Sequence, residues 1–290
     1  MSQRVLVAGC TGFIGSALAA RLRRDGLSVV GVARGLGTDL ASPEQVRDLG
    51  VFDVVVNAAG RTSVPASHSD AEGFERDNVV AVRNLLDLAG RTGARFVQAG
   101  SYVYGMPRTL PIDETHPIAA HNPYAASKIA AERACAVAHR DLDTPVTVLR
   151  IFNVYGSGQR GDLLVPTILA GIRRGEIRLA DAAPRRDFVH VDDVVDAFAR
   201  AIGWRHGGCE VVNIGSGRST SVAELVDLAV RAARREVRVR FADRPRPTEI
   251  PDVVADVRKA RAVLGWRPRV DLESGLVDLV RAEGAEGAVP

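Results

Sequence analysis

Lysine is almost missing from this chain of 290 residues: only Lys128 and Lys259 occur, although arginine is used freely. That bias singles out Lys128 as a residue with a task. Cysteine is scarce as well. Cys10, Cys135 and Cys209 stand apart, without the spacing of a metal site or a disulfide framework, so a reduced compartment is the simplest account and no metal is expected. Each is expected to fill a small space in the core. Long apolar runs are also lacking, none approaching the roughly 18 residues of a membrane span. The first residues lead straight into a strand-like segment with no signal-peptide layout, so a cytoplasmic chain without a membrane partner is expected. No basic block stands out either. The net charge of +3 comes from arginines spread along the chain, which gives little support to nucleic-acid binding and leaves anionic small molecules attractive. What is present, 46% apolar and 25% charged residues, suits a globular α/β protein of one large domain or a main domain with a smaller partner.

Tyr124-Ala125-Ala126-Ser127-Lys128 places a phenol and an ammonium about one turn apart on a helix face. A free phenol, with a pKa near ~10, exchanges protons poorly at neutral pH. A fixed cation beside it is expected to bring that value down toward working pH, which suits acid-base chemistry. The bland alternative is a half-buried tyrosine beside a solvated lysine.

The chain opens with a strand, Arg4-Val5-Leu6-Val7-Ala8, that runs into Gly9-Cys10-Thr11-Gly12-Phe13-Ile14-Gly15, after which Ile14, Leu18 and Leu22 recur at helical spacing. Strand, glycine turn and helix in that order form a cradle for a dinucleotide: a tight turn, close backbone approach to the pyrophosphate, and close packing of helix on strand. The second strand ends at Ala33-Arg34, where an NAD site usually offers a carboxylate to the ribose. A guanidinium there suits a 2′-phosphate and points to NADP(H), with NAD the alternative, because the arginine can also stack on adenine or face water. Asp39 can meet the adenine amine or cap a helix that begins near Ser42-Pro43. The strand ending at Ala58-Ala59-Gly60 leaves room for a cofactor, and Ser101 follows the strand Arg95–Ala99, where open α/β sheets keep their ligands. Ser101 can donate to a carbonyl or simply turn the chain.

The spaced glycines, Ser101 before Tyr104-Gly105, and Tyr124-x-x-x-Lys128 together resemble the extended short-chain dehydrogenase/reductase family, the epimerases, dehydratases and reductases of nucleotide sugars. The likeness continues through Leu149–Gly156, Arg185–Asp193, Val212–Gly217, Arg246–Glu249 and Leu264–Pro268, almost the whole chain. It implies a Rossmann-type, doubly wound parallel sheet with a smaller C-terminal substrate-binding α/β domain. Residues 1–152, with a returning helix near 190–203, would bind the dinucleotide; residues 153–189 and 204–290 would bind a nucleotide-diphosphate sugar. Ser101 and Tyr124 are implied to hold and protonate the sugar oxygen. Lys128 is implied to bind the nicotinamide ribose and to lower the tyrosine pKa. Gly9, Thr11, Gly12, Phe13, Ile14, Gly15, Leu40, Asn78 and Ile151 join the cofactor side by the same likeness. Ser63, Val64, Asn153, Val165, Arg186, Arg246 and Glu249 join the substrate side, the two arginines gripping the diphosphate unless Arg186 pairs with Asp187 or Glu249. His190 alternates with apolar residues and is expected to be packed. A homodimer through the helices near 78–90 and 124–139 is usual for the resemblance.

Two departures matter. One residue fewer separates Ser101 from Tyr104 than in the common family pattern, and Tyr102-Val103 replace the acidic pair of the 4,6-dehydratases, which disfavours elimination of water. The leading expectation is an NADP(H)-dependent ketoreductase of a nucleotide-linked keto-deoxysugar. A 4-epimerase with retained NAD and a non-catalytic sensor are the alternatives. The segment 282–290 is expected to fray.

Overall fold

The computed structural model describes residues 2–242, 244 and 249–286, the side chains as far as residue 282. The first half runs β1 (Arg4–Ala8), α1 (Phe13–Arg24), β2 (Ser28–Val32), α2 (Pro43–Arg47), β3 (Val54–Asn57), α3 (Val64–Ser69), α4 (Ala71–Glu75), α5 (Ala81–Thr92), β4 (Arg95–Ser101), α6 (Pro123–Leu142) and β5 (Val146–Ile151). The second half runs β6 (Asn153–Tyr155), α7 (Leu164–Arg174), β7 (Glu176–Leu179), β8 (Arg185–Arg186), β9 (Phe188–His190), α8 (Val191–Gly203), β10 (Cys209–Ile214), β11 (Thr220–Ser221), α9 (Val222–Ala233), β12 (Arg238–Phe241), α10 (Arg258–Leu264) and α11 (Leu272–Glu286).

Six parallel strands form the main sheet in the order β10-β5-β4-β3-β1-β2. Side chains alternate across it. Val5 and Val7 of β1 enter one core with Leu18 and Leu22 of α1 and Phe198 of α8. Leu6 and Ala8 enter the other core, with Leu85 and Leu86 of α5 and Cys135 of α6. Both faces are thus covered, as a parallel sheet requires. Strand order reverses between β1 and β3, and it is at the carboxyl ends of such a pair that α/β sheets hold ligands.

A third core joins α7, α9 and α11 through Ile168, Leu225, Ala229 and Leu276. The two-stranded pairs β7–β12, β6–β9 and β8–β11 border it. The boundary expected at residue 204 is displaced, because Cys209–Ile214 is a strand of the main sheet. Ala260, Leu264 and Trp266 also pack in a core of that sheet. A short apolar run reads alike in either unit, and only its pairing with Val146–Ile151 decides. Helix α11 continues to Glu286, beyond the point where fraying was expected.

Candidate active site

The cradle is fixed by backbone crowding. Gly9 has φ +81°, and a Cβ there would lie 2.6 Å from the Ala59 nitrogen, while a Cβ on Gly15 would strike the Gly9 carbonyl. Glycine is required at both places. Helix α1 starts at Gly12 with no side chain capping it, so its first N–H groups are available to an anion. Beside them opens a cavity of about 260 Å³ whose walls include Thr11, Arg34, Asp39, Leu40, Ala59 and Asp77. Ala58 and Gly60 complete that wall. The residues present fit the phosphates of a dinucleotide. Phe13 and Ile14 bring their N–H groups to the start of α1 while their side chains, like that of Ile151, pack outside this cavity. Ile14 packs into the core and Ile151 is buried at the end of β5. A Cβ on Gly156 would lie 3.5 Å from the Phe13 ring, so Phe13 abuts the turn that follows β6.

Four charges meet where the segment after β2 faces the residues before Asn78. Arg34 Nη2 lies 2.5 Å from Asp77 Oδ1, Arg76 Nη1 lies 2.9 Å from the same oxygen, and Arg76 also pairs with Asp39. Asp39 Oδ1 accepts from the Ala41 N–H at 3.0 Å, while Ser42 caps α2. Arg34 remains largely exposed, its guanidinium held by a carboxylate that sequence reasoning missed. Arg76 and Asp77 carry a signal only in hindsight, as the two residues before Asn78.

Asn78 lies in a π turn, Arg76–Val80, between α4 and α5, a kind of irregularity found often at functional sites. The Arg61 N–H donates to its Oδ1 at 2.7 Å, and its Nδ2 donates to the Arg61 carbonyl and to Ser127 Oγ at 2.9 Å. Asn78, expected on the nicotinamide side, is held by these protein partners close to Lys128: a Cβ on Gly60 would lie 2.7 Å from Asn78 Oδ1 and 3.8 Å from Lys128 Nζ. Asn78 fixes the segment after β3 against α6.

Helix α6 begins with Asn122, whose side chain accepts from the Ala125 N–H at 2.7 Å, and with Pro123 in the first turn. Tyr124 and Lys128 follow on its inner side. Lys128 Nζ donates to the Ala99 carbonyl at 3.1 Å, with the side chain 8% exposed. Burial pulls its pKa down from 10.5 to about 8. Tyr124 is half-buried against the edge of Phe74, with ring centroids 6.4 Å apart. Ser101, at the end of β4, neighbours its hydroxyl and works to lower its pKa. The expectation that Lys128 makes this phenol acidic is corrected. Burial dominates and pushes Tyr124 up to about 12, opposed chiefly by Ser101. A spacing of four residues shows that charge and phenol share a helix side; it does not show how dry that side is.

The substrate-side residues divide. Arg186 Nη1 donates to the Ile250 carbonyl at 2.8 Å and its other terminal nitrogen pairs with Glu249, so these two meet each other directly. Asn153 Oδ1 is buried with no partner among the described residues. Arg246 lies outside the described residues. Ser63 caps α3 by accepting from the Ala66 N–H, Val64 is exposed, and Val165 is buried in the third core, which removes it from any substrate surface. His190 does more than pack: its Nδ1 accepts from the Asp192 N–H and caps α8. Asp187 is wholly buried, its carboxylate accepting from the Ser216, Gly217 and Ala255 N–H groups. Burial raises its pKa.

Among the described residues no helix is long and apolar enough to cross a membrane. Nor does any His, Cys, Asp and Glu group there suit a metal.

A parallel Rossmann-type sheet, a glycine cradle at its switch point and a Tyr-x-x-x-Lys helix beside it define an extended short-chain dehydrogenase, an NAD(P)-dependent enzyme. The chain belongs to the NAD dependent epimerase/dehydratase family, whose model matches residues 5–215. It is 34% identical to UDP-glucose 4-epimerase of Mycolicibacterium smegmatis, over 96% of this chain and 97% of the relative. GDP-6-deoxy-D-mannose reductase of Pseudomonas aeruginosa is 29% identical, over 95% of each chain. The structure of RMD from Pseudomonas aeruginosa complexed with NADPH superposes with a TM-score of 0.89 at 27% identity, covering 98% of this chain and 100% of the other. The protein is a nucleotide-sugar-modifying enzyme that uses a nicotinamide dinucleotide.

Proposed function

We propose that this enzyme is an NADP(H)-dependent ketoreductase of a nucleotide-linked keto-deoxysugar. The observation that carries the proposal is the Arg34 guanidinium on the wall of the cavity beside the glycine cradle, a wall that also holds Gly60, where a Cβ would lie 3.8 Å from Lys128 Nζ. Likeness to a reductase and to an NADPH complex supports it. The dinucleotide supplies a hydride when bound. The chain's own residues do the rest. Tyr124, protonated far above neutral pH, donates its proton to the sugar oxygen. Ser101 donates a hydrogen bond to that oxygen and orients it. Lys128, positive at neutral pH, holds the ribose. The N–H groups at the start of α1 hold the pyrophosphate. On the other side the smaller unit holds the nucleotide diphosphate through Arg186 and Asn153, and Glu249 meets its ribose.

Mass spectrometry of the purified protein's dinucleotide, followed by a screen of UDP- and GDP-linked 4-keto sugars for NADPH oxidation, tests this reading. Stoichiometric NADPH consumption is the expected result. Tightly held NAD with inversion of the sugar and no net oxidation would overturn it. The second reading, a 4-epimerase, is favoured by the Arg34–Asp77 pair, which leaves two carboxylates facing the adenosine end. The three free cysteines support a reduced, cytoplasmic setting. A homodimer through α5 and α6 is part of the same proposal, supported by exposed Val137 and Leu142 on their shared groove.

A further inference from the structure

Arg61 follows Gly60 on the wall of the cofactor cavity, and the mechanism above gives its guanidinium no task. Its main chain is held from both sides by Asn78, whose Oδ1 accepts from the Arg61 N–H and whose Nδ2 donates to the Arg61 carbonyl. Its side chain reaches α4. The guanidinium carbon lies 4.5 Å from the centre of the Phe74 ring, and Nη1 pairs with Asp70, the residue that caps α4 by accepting from the Gly73 N–H. A Cβ on Gly73 would strike both Arg61 Nη1 and Asp70 Oδ2, so the absent side chain at Gly73 is what gives the guanidinium its seat. Phe74 is 1% exposed, and its ring meets that of Tyr124 T-shaped, with centroids 6.4 Å apart and planes at 86°. One guanidinium thus stands between the cofactor wall and the ring on which the phenol packs.

We propose that Arg61 is a positioning residue for the reaction: seated on Asp70 and over Phe74, it fixes that ring, and through it the Tyr124 hydroxyl, relative to the cofactor wall. This rests on Tyr124 acting as the proton donor, in reduction or epimerisation alike, and goes beyond it by naming what aims the phenol. Asn122 and Pro123 set where α6 begins, but the tyrosine ring turns about its own side-chain torsions and needs a wall to select one direction. A cation over the Phe74 ring, itself anchored by a carboxylate, makes that wall directional as apolar contact alone does not. Displacing a catalytic group by about 1 Å costs on the order of 10²-fold in rate.

Arg61→Ala removes the guanidinium and keeps the main-chain bonds to Asn78. Wild type and variant are compared in NADPH oxidation by GDP-4-keto-6-deoxymannose and in epimerisation of UDP-glucose, in whichever the wild-type chain performs. The expected result is a fall in kcat of about 10–100-fold, with KM for the sugar nucleotide and Kd for the dinucleotide each within about threefold of wild type. Gly73→Ala, which unseats the guanidinium, should lower kcat at least about fivefold in the wild-type chain but less than about twofold in the Arg61→Ala chain. An unchanged kcat in Arg61→Ala, a loss confined to dinucleotide affinity, or independent losses in the double variant overturns the role of Arg61 and leaves the catalytic reading standing. Epimerisation without NADPH oxidation overturns the reductase reading, and the same variants then decide on Arg61. A wild-type chain that turns over neither sugar overturns the catalytic reading and this proposal with it.

Discussion

Gly60 and Asn78 are fitted so closely that a Cβ on Gly60 would lie 2.7 Å from Asn78 Oδ1. That oxygen already accepts from the Arg61 N–H, and the same amide donates to Ser127 on α6. The wall of the cofactor cavity and the helix bearing Tyr124 are therefore set by one side chain.

Gly60→Ala should disturb both. Gly60 has φ +140° as well as this contact, so strain and displacement together cost roughly 1–3 kcal/mol of stability. Affinity for NADPH should fall at least about tenfold, measured by fluorescence titration. A variant that binds the dinucleotide as wild type does would show that the fit is not needed.

Tyr124→Phe should lower kcat by about 10²–10⁴-fold, the usual worth of a placed proton donor, with dinucleotide binding within about twofold of wild type. The ring keeps its contact with Phe74, so the fold is not at issue. Rapid-mixing measurement of NADPH oxidation with a bound keto sugar reads the loss directly.

The alkaline limb of the pH–rate profile should report Lys128 and not Tyr124. Lys128 loses its proton through about pH 8, whereas Tyr124 stays protonated to about 12. Activity is expected to fall above pH 8, and Lys128→Met should abolish that limb along with most of the rate. Stability moves the other way. The folded pKa lies below the unfolded value of 10.5, so the unfolded chain binds more protons between about pH 8 and 10.5 and this site's contribution to stability rises with pH across that window. Below pH 8 the full cost of burying the ammonium is present, on the order of 3 kcal/mol. Lys128→Met should thus stabilise the protein most below pH 8, with a gain that shrinks as pH climbs, followed by denaturant titration. The Ala99 carbonyl keeps a donor in Gln98 Nε2 at 3.0 Å.

Arg34→Ala separates the two cofactors. If the guanidinium leaves Asp77 for a 2′-phosphate, kcat/KM for NADPH should fall by about 10–100-fold while that for NADH changes by less than about threefold. Equal changes for both would assign Arg34 to its ion pair alone.

What the sequence disclosed was what lies close along the chain. Gly9, Gly12 and Gly15 encode their own backbone geometry, and Tyr124 and Lys128 need only a helix to share a side. The remainder depends on partners that the order of residues does not name. Asp77 reaches Arg34 across 43 positions and Glu249 reaches Arg186 across 63. The direction of the Tyr124 shift is not legible from spacing, which reveals a nearby charge but not the loss of water, and here the loss of water dominates. Val165 looked available on motif grounds and is buried because the helix α7 turns that side toward α9 and α11.

The position of β10 bears on how this chain can be cut. It lies at the margin of the sheet, hydrogen-bonded along Val146–Ile151, a strand whose six residues are all buried. A product that stops after α8 would leave that apolar strand with an open row of amides and carbonyls, a template for pairing with other copies. Premature termination there would yield aggregate in place of a shorter enzyme, so the last third of the polypeptide safeguards solubility during synthesis as well as completing the crevice.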